Sequence, residues 1–333
     1  MRLGYLDAMR GLAIVLVVMG HLMIRFGISG YENVLWTIVV SIHLPVFFFI
    51  SGYLGGGKCL KNSVITNKLW QLVVPGFLFF SLFSWSKDGN PLSFLKFGFG
   101  EYWFTFVLFE MYVIYYFCCR ILKKYKYVVM VGLSLVGVAV LAMPSLRGGQ
   151  LYTVLCLENF AKYFQFFTLG MLCKEYSHKV IVWLQSDWVK GTLLVCFVVS
   201  LMMCFNETLQ SQYFLIYQFN HDLAFRYLGV LTLFAFFMYK EEYFQSNNWT
   251  VRTLSFVGKR TLDIYLIHYF LLPAGFLLPS CMHSNNMWYV QLLILFASAI
   301  IVIAGCLLFS EMIRMSPTLS SLMLGTRKLK KND

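Results

Sequence analysis

The chain has 333 residues, 59% of them in the set AVILMFWYC and 13% charged, with a formal net charge of +12 and a mean hydropathy of +0.70. A soluble chain carries about twice that share of charge, whereas a bilayer-crossing helix needs ~20 mostly apolar residues. A water-soluble enzyme is excluded, and an all-α integral membrane protein is expected.

Apolar runs broken by charges or turn residues predict about ten transmembrane helices, at 8–27, 33–55, 67–86, 101–119, 127–146, 151–173, 187–206, 217–239, 258–279 and 287–310. The first run is interrupted by His21 and Arg25 and no small-residue cleavage pattern follows, so it reads as a retained helix rather than a signal peptide. Gly55, Gly56, Gly57 and Lys58 follow the second helix without a P-loop context and read as a flexible turn. The run 217–239 has the most polar start, with Asn220, His221, Asp222 and Arg226. Residues 1–312 form one expected transmembrane domain, and 313–333 a basic cytoplasmic tail. With the N-terminus inside, Lys and Arg concentrate in alternate, cytoplasmic segments; Arg25, Lys87, Lys96, Arg147, Lys162 and Arg226 are the exceptions. Both termini are therefore expected in the cytoplasm, and the positive charge points to a lipid bilayer as partner rather than nucleic acid. Nine Cys without a CxxC pair indicate neither a disulfide framework nor a zinc site, and no metal is expected.

An ionisable group inside a membrane helix is costly and defaults to a functional hypothesis. Six qualify: His21, His43, Glu110, Lys162, Arg226 and His268. His21 follows Arg10 by eleven residues, ~16 Å of helical rise, which is near the middle of a ~30 Å core. His43, Lys162 and His268 reach similar depths on their helices, so a shared polar cavity is expected. The plain alternatives are hydrogen-bonded packing for His43 and His268, and a buried ion pair of Glu110 with Lys162 or Arg226. Tyr102, Trp103, Trp288 and Tyr289 read as an interfacial belt, and His178, His221 and His283 as solvated surface. A neutral His suits general-base work or transient acyl carriage. Arg10 and the basic loops suit a phosphate-bearing co-substrate.

The opening LDAMRGLAIVLVVMGH, with Arg10 and His21, resembles the first helix of the membrane-bound acyltransferase-3 family. HLPVFFFISGYL, from His43 to Leu54, is similar to the family's second helix and to its fucose 4-O-acetylase-like branch. Tyr102-Trp103-Phe104, FFTLGML at 166–172 and LDIYLIH ending at His268 resemble further family signatures, in the expected order. The resemblance implies a ten-helix core that transfers an acyl group, usually acetyl from acetyl-CoA, to a hydroxyl of a cell-envelope sugar or polysaccharide precursor at the bacterial inner membrane. It implies that His21 is the general base or acyl carrier, and that Arg10 positions CoA or the reacting carbonyl. His43, Ser51, Trp103, Glu110, Lys162, Arg226 and His268 would line the substrate channel. Where many members carry two Arg three apart before the third helix, this chain has only Lys68. Lys58, Lys61 and Lys68 are the cations available to contact CoA instead. The chain ends soon after the last run, so delivery to a distant acceptor would need glycan-biosynthesis partners.

The competing class is a transporter or flippase that uses the midplane His and charges as a transport site. The absence of a visible repeat between halves and the uneven Pro placement count against it. A non-catalytic scaffold of an envelope-biosynthesis complex is a third reading, separated by whether His21 is dispensable.

Overall fold

The computed structural model of the chain describes residues 4–143, 148–245, 248–274, 278 and 287–326. Arg147, His283, Cys281 and the basic stretch 327–333 lie outside the described residues. Among those described there are helices and no strand. The principal helices are α1 (Gly4–Arg25), α2 (Val34–Gly55), α3 (Asn62–Lys87), α4 (Trp103–Phe117), α5 (Lys126–Ala142), α6 (Leu157–Glu175), α7 (Asp187–Cys204), α8 (Phe214–Tyr239), α9 (Trp249–Lys259), α10 (Thr261–Leu271) and α11 (Trp288–Arg314).

Seven helical runs among the described residues are long and apolar enough to cross a membrane, one of them the stretch Gly100–Ala142 that contains both α4 and α5. A π-helical turn at Cys118–Leu122 and a φ of +35° at Lys123 separate those two helices. α6 falls outside the seven, with Glu158, Lys162, Lys174 and Glu175 in its nineteen residues. The expected ninth span, 258–279, is shorter as a helix. Arg260 leaves helical geometry with φ −109° and ψ 15°, and the chain turns extended at Leu272, just before Pro273. The eleven residues of α10 rise ~16 Å, about half a hydrocarbon core. Without water to satisfy backbone groups, helices are the one open-ended solution in lipid. Large exposed apolar side chains on α11, such as Leu293, Ile301 and Leu308, suit contact with acyl chains.

The chain divides into two compact units, residues 1–50 with 176–306 and residues 51–175 with 307–333, so two boundaries fall inside α2 and α11 and the third at the end of α6. In the first unit α1 lies directly on α9. A Cβ at Gly258 would strike the Asp7 carbonyl and one at Gly11 the Leu254 carbonyl, so both helices need glycine at their crossing. Ala8, Met9, Val18, Leu22 and Met23 of α1 are fully buried. At the start of α2, Asn33 Nδ2 donates to Gln291 Oε1 of α11 at 2.9 Å.

In the second unit the end of α2 packs on α6 by the same device. The Phe167 carbonyl occupies the place of a Cβ at Gly52, and Met171 Cα stands 3.0 Å from one at Gly56. The glycine run expected to be a flexible turn is therefore mostly a packing surface, with only Gly57 at a positive φ of 82°. Phe166 and Phe167 of α6 are wholly buried, Ser134 Oγ of α5 donates to Thr168 Oγ1 at 3.1 Å, and Tyr112 Oη of α4 donates to the Ser51 carbonyl at 3.1 Å. The segment assigned to the tail begins with a helix, Pro317–Met323, and Gly325 lies against the backbone of Gln71 in α3.

Candidate active site

His21, His43, Arg226 and His268 all belong to the first unit. α1 carries His21 four residues before its end, where the side chain is only partly buried. Its Nε2 lies 3.0 Å from the Tyr269 hydroxyl. The His21 ring stands 4.8 Å from the Tyr269 ring, edge-on, and 5.2 Å from that of His268, centroid to centroid. His268 is completely buried. Its Nδ1–H faces the carbonyls of Tyr265 at 2.7 Å and Ile264 at 3.1 Å. That bond fixes the neutral tautomer with a lone pair on Nε2, which has no hydrogen-bond partner among the described residues.

The His43 Nδ1 donates to the Val39 carbonyl at 2.5 Å. His21 and His268, two of the imidazoles expected at one depth, therefore do meet. Arg226, 1% exposed, donates from Nη2 to Asp222 Oδ1 at 3.3 Å, so this ion pair lies one helical turn back on α8. His221 is 6% exposed, which corrects its reading as solvated surface. A π-helical turn at Asn220–Ala224 carries it inward, where Ser200 anchors Asn220. His178 is exposed as expected.

Arg10 pairs with Asp7 at 3.7 Å, and Arg260 with Asp263 at 3.3 Å. Gly258 brings the end of α9, just before Arg260, onto the first turns of α1, and both carboxylates are buried. Eleven residues along an unbroken α1, Arg10 stands on the same face as His21 but ~16 Å away. The two cannot act on one atom.

The remaining candidates lie in the second unit. Trp103 stacks on Tyr163, with centroids 5.5 Å apart, beside a cleft of about 200 Å³ lined also by Phe97, Phe99, Glu158 and Asn159. Tyr102 is fully buried against Phe83 rather than interfacial, whereas Trp288 and Tyr289 of the first unit are half exposed. Glu110 Oε2 is buried without a hydrogen-bond partner among the described residues, and no ion pair joins Glu110 to Lys162 there. Lys58 and Lys61 are exposed, while Lys68 Nζ stands 4.8 Å over the Tyr112 ring. Arg120 donates to Asn62 Oδ1, which also accepts from Tyr116 at 2.7 Å, so this loop gains a guanidinium from the end of α4.

A family model described as an acyltransferase domain matches residues 3–311. The chain belongs to the acyltransferase-3 family. It is similar to the nodulation protein NolL of Mesorhizobium japonicum, at 24% identity over 90% of this chain and 84% of that protein. It is also similar to the NolL of Sinorhizobium fredii, at 28% identity over 31% of this chain and 32% of that protein. No solved structure matches.

Within this acyltransferase-3 domain two polar residues of the first unit went unread in the sequence, Tyr269 and Asp7, and His221 was read as surface. Asp7 had a visible signal, since an acid three residues before Arg10 is a helical pair. Tyr269 follows His268 directly, but its partner is 248 residues away, and no local pattern announces that bond.

Proposed function

We propose that the chain is an integral membrane O-acyltransferase that moves an acyl group, acetyl in the first instance, from acyl-CoA to a hydroxyl of a cell-envelope sugar or polysaccharide precursor. It works in the bacterial inner membrane with both termini in the cytoplasm. The observation that carries the reading is the contact of His21 with Tyr269 and His268 in a member of the acyltransferase-3 family.

With Nε2–H of His21 donating to the Tyr269 oxygen, Nδ1 keeps a lone pair for the acceptor hydroxyl. His21 takes that proton as the acceptor oxygen bonds to the acyl carbon. The carbon–sulfur bond then breaks, and the departing CoA thiolate recovers the proton. The products are an ester and free CoA, and His21 is regenerated. Tyr269 orients the ring and accepts a hydrogen bond from the imidazolium, while buried His268 keeps the surroundings polar. The distance from His21 to Arg10 supports a role for Arg10 at the phosphates of the donor.

Mass spectrometry of envelope glycans tests this in cells with the protein, without it, and with His21→Ala. The expected result is one added acyl group that needs both the protein and His21. Glycans left unacylated throughout, with altered export or amount, would replace the enzyme by a carrier.

A further inference from the structure

Arg226 sits midway along the 26 residues of α8, 1% exposed, and among the described residues is held from one side. Its Nη2 meets Asp222, whose side chain is half exposed, and the same carboxylate oxygen lies 3.1 Å from His221 Nδ1. The other guanidinium donors, Nε and Nη1, are buried without a hydrogen-bond partner among the described residues, and so is His221 Nε2. Such donors in a membrane interior call for an acceptor, because nothing in hydrocarbon replaces the lost water.

The arrangement is built rather than incidental. The His221 ring is fixed by Tyr31, edge-on at 4.5 Å, and by Tyr217, stacked at 6.0 Å. Asn220 anchors the turn through Ser200, accepting at 2.5 Å from its hydroxyl and donating to its carbonyl at 2.9 Å. With Nδ1–H directed at Asp222, His221 offers a lone pair at Nε2 to a hydroxyl. Arg226 offers N–H donors with full charge to an oxyanion. An oxyanion and a hydroxyl on one ligand describe an acidic sugar.

We infer that Arg226 and His221 form a binding subsite for an anionic sugar acceptor, with Arg226 taking its carboxylate or phosphate and His221 one of its hydroxyls. This deepens the acyltransferase reading and rests on it for the ligand's part in the reaction, but the binding itself does not.

The test uses the full-length protein in phosphatidylcholine nanodiscs, where no anionic lipid competes, and follows the unfolding temperature against added glucuronate, glucose 1-phosphate or glucose. A saturable upward shift with glucuronate or glucose 1-phosphate, and none with glucose, is expected. Glucuronate acting alone names a uronic-acid acceptor, and glucose 1-phosphate acting alone a sugar phosphate. Arg226→Gln should weaken the binding by about tenfold or more, and Arg226→Lys should restore part of it. His21→Ala should bind like the unaltered protein. Equal shifts with glucose and the two anions, or no shift with either anion, would overturn the subsite without needing any variant. Undiminished anion binding by a folded Arg226→Gln would also overturn it. Loss of acyl transfer with anion binding intact would count against the proposed reaction alone.

Discussion

At the scale of single residues the account turns on which nitrogen of His21 does the work. Tyr269 occupies Nε2 at 3.0 Å, so Nδ1 is the atom left for the acceptor hydroxyl. General-base catalysis contributes ~10²–10⁴ in rate; His21→Ala is therefore expected to lower acyl transfer at least a hundredfold while the protein still inserts, as steady-state assay beside a membrane-fraction blot would read. Tyr269→Phe keeps the ring contacts and removes the hydrogen bond. A loss of roughly ten- to a hundredfold in kcat, with the KM for acyl-CoA little changed, follows from a hydrogen bond to a charged group of ~1.5–3 kcal/mol. A KM effect with unchanged kcat would place Tyr269 in binding instead. His21, His43 and His268 were legible because ionisable side chains at similar helical depths are conspicuous in an apolar chain. Tyr269 and His221 were not, since a tyrosine in this composition carries no mark and the π-helical turn that buries His221 leaves none in the sequence.

At the scale of helices, the glycines carry the packing. Gly52→Ala places a methyl group onto the Phe167 carbonyl, and overpacking of that kind costs about 1–3 kcal/mol. Gly132 in α5 has no atom within 4 Å of a would-be Cβ, and its change to Ala should stabilise by ~0.5–1 kcal/mol through helix propensity. Thermal unfolding in detergent should move down for the first and slightly up for the second. Hydropathy located the principal helices, because apolar runs and charged breaks record the bilayer directly. It overextended the ninth, where the break at Arg260 and the early end before Pro273 leave a short buried helix among polar partners. It also read Gly55–Gly57 as slack, because only the position of α6 shows that Gly56 is a contact.

For the whole molecule, the acyltransferase-3 family was readable from short motifs in order, and the matched region 3–311 spans nearly all of the chain. What motifs do not carry is the division into two compact units, two of whose three boundaries cut through the apolar helices α2 and α11. Charge placement predicts that reporters fused to either end are active only in their cytoplasmic form, and that a cysteine placed at exposed Lys96, between α3 and α4, is labelled from outside. Labelling of that site only from the inside would reverse the topology. The central claim, His21-dependent transfer from acyl-CoA, is tested most directly by supplying acetyl-CoA with an isotope-labelled acetyl group to inverted membrane vesicles and following the label into the glycan fraction. Label should enter glycan with the unaltered protein and stay at background with His21→Ala; equal incorporation by the two would contradict the account.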